Sequence, residues 1–107
     1  MKNTGRVFTE TDRVILHSYE SVIEGLAGYL GNCYEIVLHS LEDLDHSVIK
    51  IINGYHTGRS VGSPITDLAL NMLDRIESGE STEDSISYFS TNRRGEPLKS
   101  TTIAIRG

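Results

Sequence analysis

"EIVLHSLEDLDHSVIKIINGYHTGRSVGSPITDLALNML", residues 35–73, is the stretch whose reading decides the fold. Two short β-branched runs, YEIVLHSL over 34–41 and SVIKIIN over 47–53, flank the acidic turn EDLDH, which predicts two neighbouring antiparallel strands. In the first run Tyr34, Ile36, Leu38 and Ser40 face one way and Glu35, Val37, His39 and Leu41 the other. Both faces are partly apolar, as expected of a strand inside a sheet. The glycine-rich NGYHTGRSVGSP, 53–64, then opens onto an apolar stripe of Ile65, Leu68, Ala69, Met72, Leu73 and Ile76. The spacing predicts a helix over about 64–78, with Ser63 as N-cap, Pro64 in the first helical position, Asp67 near the positive end and Gly79 just past the stop.

Working outward, Thr9 and Asp12 have the spacing of a capping box, and Ile15, Tyr19, Val22, Ile23, Leu26 and Leu30 recur at three- and four-residue steps. An amphipathic helix follows from them, ended by Gly31-Asn32. Residues 1–9 ahead of it read as a loose arm. SISYFSTN, 85–92, and PLKSTTIAIRG, 97–107, flank the turn RRGE and predict a second hairpin. The order helix, hairpin, glycine loop, helix, hairpin is α+β with an antiparallel sheet; no βαβ alternation is present. The apolar ending STTIAIRG leaves a strand edge that invites pairing with another chain.

The 107 residues are enough for one domain with one modest core. With a formal net charge of -5 and basic residues scattered apart from Arg93-Arg94, the chain offers no stripe for a phosphate backbone, so it is not expected to grip DNA itself. No run approaches the roughly 18 apolar residues of a membrane span, and the start MKNTGRVFTETDR lacks the apolar centre of a secretory signal. No membrane contact and a cytoplasmic location are the expectations. The single Cys33 has no partner for an internal disulfide, in keeping with a reducing compartment, and is expected as a small buried hydrophobe.

The glycine loop fails the tests for a nucleotide site. A P-loop needs four residues between its glycines and a lysine before Ser or Thr, whereas GYHTGRS has three and an arginine. Gly54, Gly58 and Gly62 are also four apart, unlike a dinucleotide fingerprint. Two readings stay open: a small anion held by backbone N–H groups and Arg59, or a shaped crossover loop with a solvated arginine. His17, His39, His46 and His56 show no pair at a ligand spacing, so no metal or other cofactor is assigned, and no nucleophile signature supports an enzyme. The five tyrosines are expected mainly as half-buried core.

VLHSL, NGYHTGR, GSPITDLAL and LKSTTIAIR, in that order, together resemble the PAS-like sensor domain of the YheO family of bacterial transcriptional regulators, over roughly residues 10–107. The resemblance implies a PAS-like antiparallel sheet with helices on one face and a cavity that the loop helps to frame. His39, Asn53, His56, Thr57, Arg59 and Ser63 would offer it polar groups. It further implies a non-enzymatic module that binds a small-molecule effector, an anionic one suiting Arg59, and that forms a homodimer. DNA would be reached only through a C-terminal helix-turn-helix that this chain does not contain. A protein–protein interaction module with no small-molecule ligand is the alternative. PAS sheets have five strands and four are legible here, so residues 10–107 read as a domain cut before its last strand. The gap is expected to be bridged by pairing of 34–41 with 97–107 or by a strand from a second chain.

Overall fold

Residues 5–80 and 83–106 are described by the computed structural model. Residues 1–4 of the expected arm, 81 and 82 of the connector, and Gly107 at the expected strand end lie outside them. The elements run α1 (Glu10–Leu30), β1 (Ile36–His39), β2 (Val48–Ile52), α2 (Asp67–Glu77), β3 (Ser85–Thr91) and β4 (Pro97–Ile103), with single 3₁₀ turns at Leu44–His46 and Gly54–His56. The class is α+β, as the order of patterns predicts. The chain divides into two units, one up to Ile65 and one from Thr66 to Arg106.

In the first unit, α1 starts where the capping box places it. The Thr9 hydroxyl accepts from the Asp12 N–H at 3.1 Å, and the Asp12 carboxylate accepts from the Thr9 N–H at 2.8 Å. Two donors that the helix cannot satisfy internally are thereby paired. The helix stops at Gly31, whose φ of 87° lies in the region that side chains resist, and its N–H closes on the Ala27 carbonyl. Leu16 and Ile23 are buried on the α1 face that meets the first hairpin, where Leu38 and Val48 are buried in turn. Each such side chain contributes about 1.5–3 kcal/mol of apolar burial. At the rim, the Arg13 guanidinium is bidentate on Glu42, which raises its pKa, and Lys50 is paired with Glu24. In the described part of the expected arm, the Arg6 N–H donates to the Leu41 carbonyl at 2.7 Å.

β1 and β2 are antiparallel, with Ile36 opposite Ile52 and Leu38 opposite Lys50, and the ladder then shifts so that His39 faces Val48. In the second unit β3 and β4 pair without interruption from Ser85↔Ile103 to Thr91↔Pro97, and the Asn92 side-chain oxygen closes the turn by accepting from the N–H groups of Arg94 and Glu96. α2 lies on this hairpin and buries Leu73 and Ile76. Among the described residues the ladders are two separate two-stranded sheets, and no pairing of 34–41 with 97–106 is among them.

Four expectations need correction. The helix predicted over 64–78 begins at Asp67, and its N-cap is Thr66, whose hydroxyl accepts from the Ala69 N–H at 3.2 Å. Ser63 and Pro64 satisfy the local rules for a helix start, but Val48 accepts from the Gly62 N–H and donates to the Ser63 carbonyl, so 62–63 are held beside β2 instead. β4 ends at Ile103 rather than running to the end of the chain, the Ala104 N–H turning to the Asp84 carbonyl. Cys33 is exposed, because it lies in the turn between α1 and β1 rather than under either. Tyr19, Tyr29, Tyr34 and Tyr55 are also exposed, so the tyrosines are not chiefly core.

The α2 start is testable. Thr66→Ala is expected to lower unfolding stability in urea by about 1 kcal/mol, with Thr66→Ser restoring most of it. A larger loss of helical circular dichroism from Ser63→Ala than from Thr66→Ala would place the cap where the sequence rules alone put it.

Candidate functional site

The glycine loop is built on one carbonyl. After β2, Asn53 takes the left-handed conformation, φ 58° and ψ 39°, and reverses the chain. This is a conformation that asparagine tolerates better than most residues. The Gly54 carbonyl then accepts from three N–H groups, those of Thr57 at 3.1 Å, Gly58 at 2.8 Å and Arg59 at 3.2 Å. Gly54 has to be glycine: a Cβ there would stand 2.4 Å from the Arg59 carbonyl oxygen and 2.9 Å from Ile51 Cδ1. The inward-facing N–H groups are the ones an anion nest would have needed. The closed geometry therefore favours the shaped-crossover reading of the loop backbone.

Side chains pin this loop to the segment joining α1 to β1. The Asn53 amide donates to the Tyr34 carbonyl at 2.7 Å and to Gly31 at 3.3 Å, while the Tyr55 hydroxyl and a His56 ring nitrogen meet the Asn32 carbonyl at 3.1 and 2.6 Å. The Tyr55 and His56 rings lie against one another with centroids 4.4 Å apart. Glu35, at the entry to β1, receives the Arg59 guanidinium at 2.6 Å and the Thr57 hydroxyl at 2.9 Å; Arg59 Nε donates in turn to Thr57 Oγ1 at 3.0 Å. The Glu35 side chain is only 10% exposed and that of Arg59 24%, so the pair is shielded and charge-assisted rather than a surface contact.

His39 lies on the next residue of the same strand face as Glu35 and Val37. Its Nδ1 is 2.8 Å from the hydroxyl of Ser47, which is completely buried. Burial, and secondarily the charge of Arg59, lowers the His39 pKa from 6.5 to about 4, so the imidazole is neutral at physiological pH.

The six residues read from sequence thus fall into three places. Thr57 and Arg59 meet at Glu35, with His39 under the influence of Arg59; Asn53 and His56 clamp residues 31–34. Ser63 stands apart, its hydroxyl accepting from the Ser60 N–H at 3.1 Å. Sequence reasoning missed Glu35 and Ser47. The signal for Glu35 is a carboxylate on the same strand face as His39, at the end nearest a loop that carries the arginine. Among the described residues no three His, Cys, Asp or Glu side chains converge in a metal-binding group, and no helix is long and apolar enough to cross a membrane.

Comparison with known proteins gives the family. The profile of the YheO-like PAS domain matches residues 9–107. Over 101 residues the chain is 54% identical to the protein YheO of Escherichia coli K12, an alignment spanning 94% of this chain and 42% of that protein. A Haemophilus influenzae protein is 48% identical over 101 residues, spanning 92% of this chain and 43% of its own length. The chain therefore covers less than half the length of these curated relatives. No solved structure matches it at a significant level.

The neutral histidine gives a signed pH effect. The unfolded chain takes up a proton at His39 near pH 6.5 and the folded chain only near 4. Protonation therefore favours unfolding: the stability linked to His39 is complete above pH 6.5 and is lost as pH falls towards 4. Thermal midpoints of the wild type and His39→Gln measured from pH 7.5 down to 4 should diverge, the wild type falling more steeply. A constant difference across that range would contradict the burial of a neutral ring.

Proposed function

The chain belongs to the YheO-like PAS domain family, and from that premise we propose that it is the ligand-sensing and dimerisation domain of a bacterial helix-turn-helix transcription regulator. In this reading it is non-enzymatic, acts in the cytoplasm, and reaches DNA only through the remainder of a longer protein. The relatives' greater length is consistent with such a remainder.

The observation that carries the reading is the shielded Glu35–Arg59 pair with Thr57 between its partners and His39 beside it. Arg59 is the charge an anionic effector would seek, and Glu35 already occupies it. A carboxylate ligand therefore acts by replacement: it takes the guanidinium and the Thr57 hydroxyl from Glu35, with a neutral His39 adding no competing positive charge. Releasing Glu35 alters the tie between the loop and β1. The loop leads along the chain directly into α2, so binding is coupled to the conformation of residues 60–66. The effector shifts this equilibrium only to the extent that it binds the two arrangements differently. His39, Asn53, His56, Thr57, Arg59 and Ser63 remain the proposed ligand-facing and loop-fixing set, with Glu35 added as the built-in competitor.

The second reading, an interaction module with no small-molecule ligand, draws on the apolar residues that α1 leaves exposed. A panel of small mono- and dicarboxylates tested by thermal shift separates the two. A ligand at 100 times its Kd stabilises the folded state by about 2.7 kcal/mol, which raises the midpoint by several degrees. The expected pattern is a rise in the wild type, none in Arg59→Ala, and tighter apparent binding in Glu35→Gln, where the competing charge is gone. No rise with any carboxylate, or an equal rise in Arg59→Ala, would contradict an anion site at Arg59.

A further inference from the structure

Asn53-Gly54 is the only step in the sequence at which glycine follows asparagine; the other asparagines precede Thr4, Cys33, Met72 and Arg93. In an unconstrained peptide this pair loses its side-chain amide fastest. The next backbone nitrogen has to reach the side-chain carbonyl carbon, and glycine puts no Cβ in its way.

The fold holds the pair out of reaction in two ways. The first is the backbone of Asn53. Cβ stands about a third of a turn from the amide nitrogen around the Cα–C bond, so a ψ of 39° puts the side chain nearly opposite the Gly54 nitrogen. Ring closure requires the two on the same side, close to a half-turn away. That rotation turns over the peptide plane between Asn53 and Gly54, and with it the Asn53 carbonyl that accepts from the His56 N–H at 3.3 Å. It also displaces Gly54, whose carbonyl gathers the N–H groups of Thr57, Gly58 and Arg59. The second restraint is on the leaving group: Nδ2 of Asn53 donates to the Tyr34 carbonyl at 2.7 Å and to the Gly31 carbonyl at 3.3 Å.

We propose that Asn53 is a deamidation site gated by opening of the glycine loop, and that its conversion releases the loop irreversibly. In the open loop the Gly54 nitrogen gives its proton to solvent base and attacks Asn53 Cγ. The N–Cγ bond forms, the Cγ–Nδ2 bond breaks, and ammonia leaves with a proton from water. The cyclic imide then takes up one water molecule. Attack at Cγ gives aspartate, attack at the backbone carbonyl gives isoaspartate, and nothing is oxidised or reduced. Neither product suits the closed loop. Aspartate replaces the donor with a carboxylate oxygen, so that an acceptor faces the Tyr34 and Gly31 carbonyls in a half-buried place. Isoaspartate adds a methylene to the main chain beside Gly54, where a Cβ would already stand 2.4 Å from the Arg59 carbonyl oxygen. Any event that opens the loop advances this chemistry, with or without an effector.

Peptide mapping by mass spectrometry, with isoaspartate assayed separately, follows the asparagines while the chain is incubated in mildly alkaline buffer. In urea-unfolded chain Asn53 is expected to convert well ahead of Asn32, Asn71 and Asn92. In the folded chain its rate is expected to fall by about tenfold or more, the factor being set by the free energy of local opening. Urea below the unfolding transition should raise that rate in step with hydrogen exchange at Thr57, Gly58 and Arg59. Asn53→Asp reproduces one product directly, and these three amides are expected to exchange about tenfold faster in it while those of β3 and β4 are unchanged. Should Asn53→Asp fail to fold, the aged wild-type fraction that anion exchange separates by its added negative charge gives the same readout. Equal rates at Asn53 in folded and unfolded chain overturn the gating. Unaltered protection of the three amides in the deamidated fraction overturns the release, and an Asn53 no faster than the other asparagines in urea overturns the site.

Discussion

The Gly54 carbonyl is the point on which the first unit turns. Three successive N–H groups converge on one oxygen, and the Arg59 carbonyl lies where a side chain on Gly54 would be. These two facts fold residues 53–59 into a closed knot rather than an open loop. Because the knot is closed, the Asn53, Tyr55, His56 and Thr57 side chains emerge in directions that reach back to residues 31–35. Arg59 is thereby delivered to Glu35, and the charge of Arg59 in turn helps to hold His39 neutral. A loop whose backbone donors pointed outward would present an anion with N–H groups; this one presents it with a guanidinium already in use.

That difference bears on how the domain would respond in the proposed sensing role. An unpaired buried arginine would be costly, and a shielded Arg–Glu pair offsets part of that cost while keeping the charge in place. The pair also makes the response conditional. An effector at the proposed Arg59 site would have to outcompete a tethered carboxylate, so its selectivity would rest on the groups around the pair, Thr57 and His39 first among them. The helix that carries residues 31–35 on its C-terminal side has its start fixed by Thr9 and its stop by Gly31.

Much of this was legible in the residues. The capping box at Thr9 and Asp12, the stop at Gly31, the two hairpins and the α+β class all follow from local rules, and the structure obeys them because tertiary contacts make no opposing demand there. The start of α2 shows the opposite case. Ser63-Pro64 and Thr66 both look like helix openings, and the choice is made by Val48, a residue fifteen positions away that pairs with 62–63. No local pattern carries that information. Cys33 was misread for a similar reason: its composition favours burial, but its position in a turn between two elements decides its exposure. At the site, the arginine, threonine and histidine could be read from the sequence, whereas Glu35 could not be matched to Arg59 until the knot at Gly54 set the direction of the loop.

The closed knot is the claim on which the site depends, and amide hydrogen exchange of the free protein tests it most directly. The N–H groups of Thr57, Gly58 and Arg59 belong to a loop that is largely exposed, so in an open loop they would exchange at nearly the rate of an unstructured peptide. The account predicts that all three are protected together, to a similar degree, because they share one acceptor. Rapid exchange of these amides while those of β2 remain protected would contradict it.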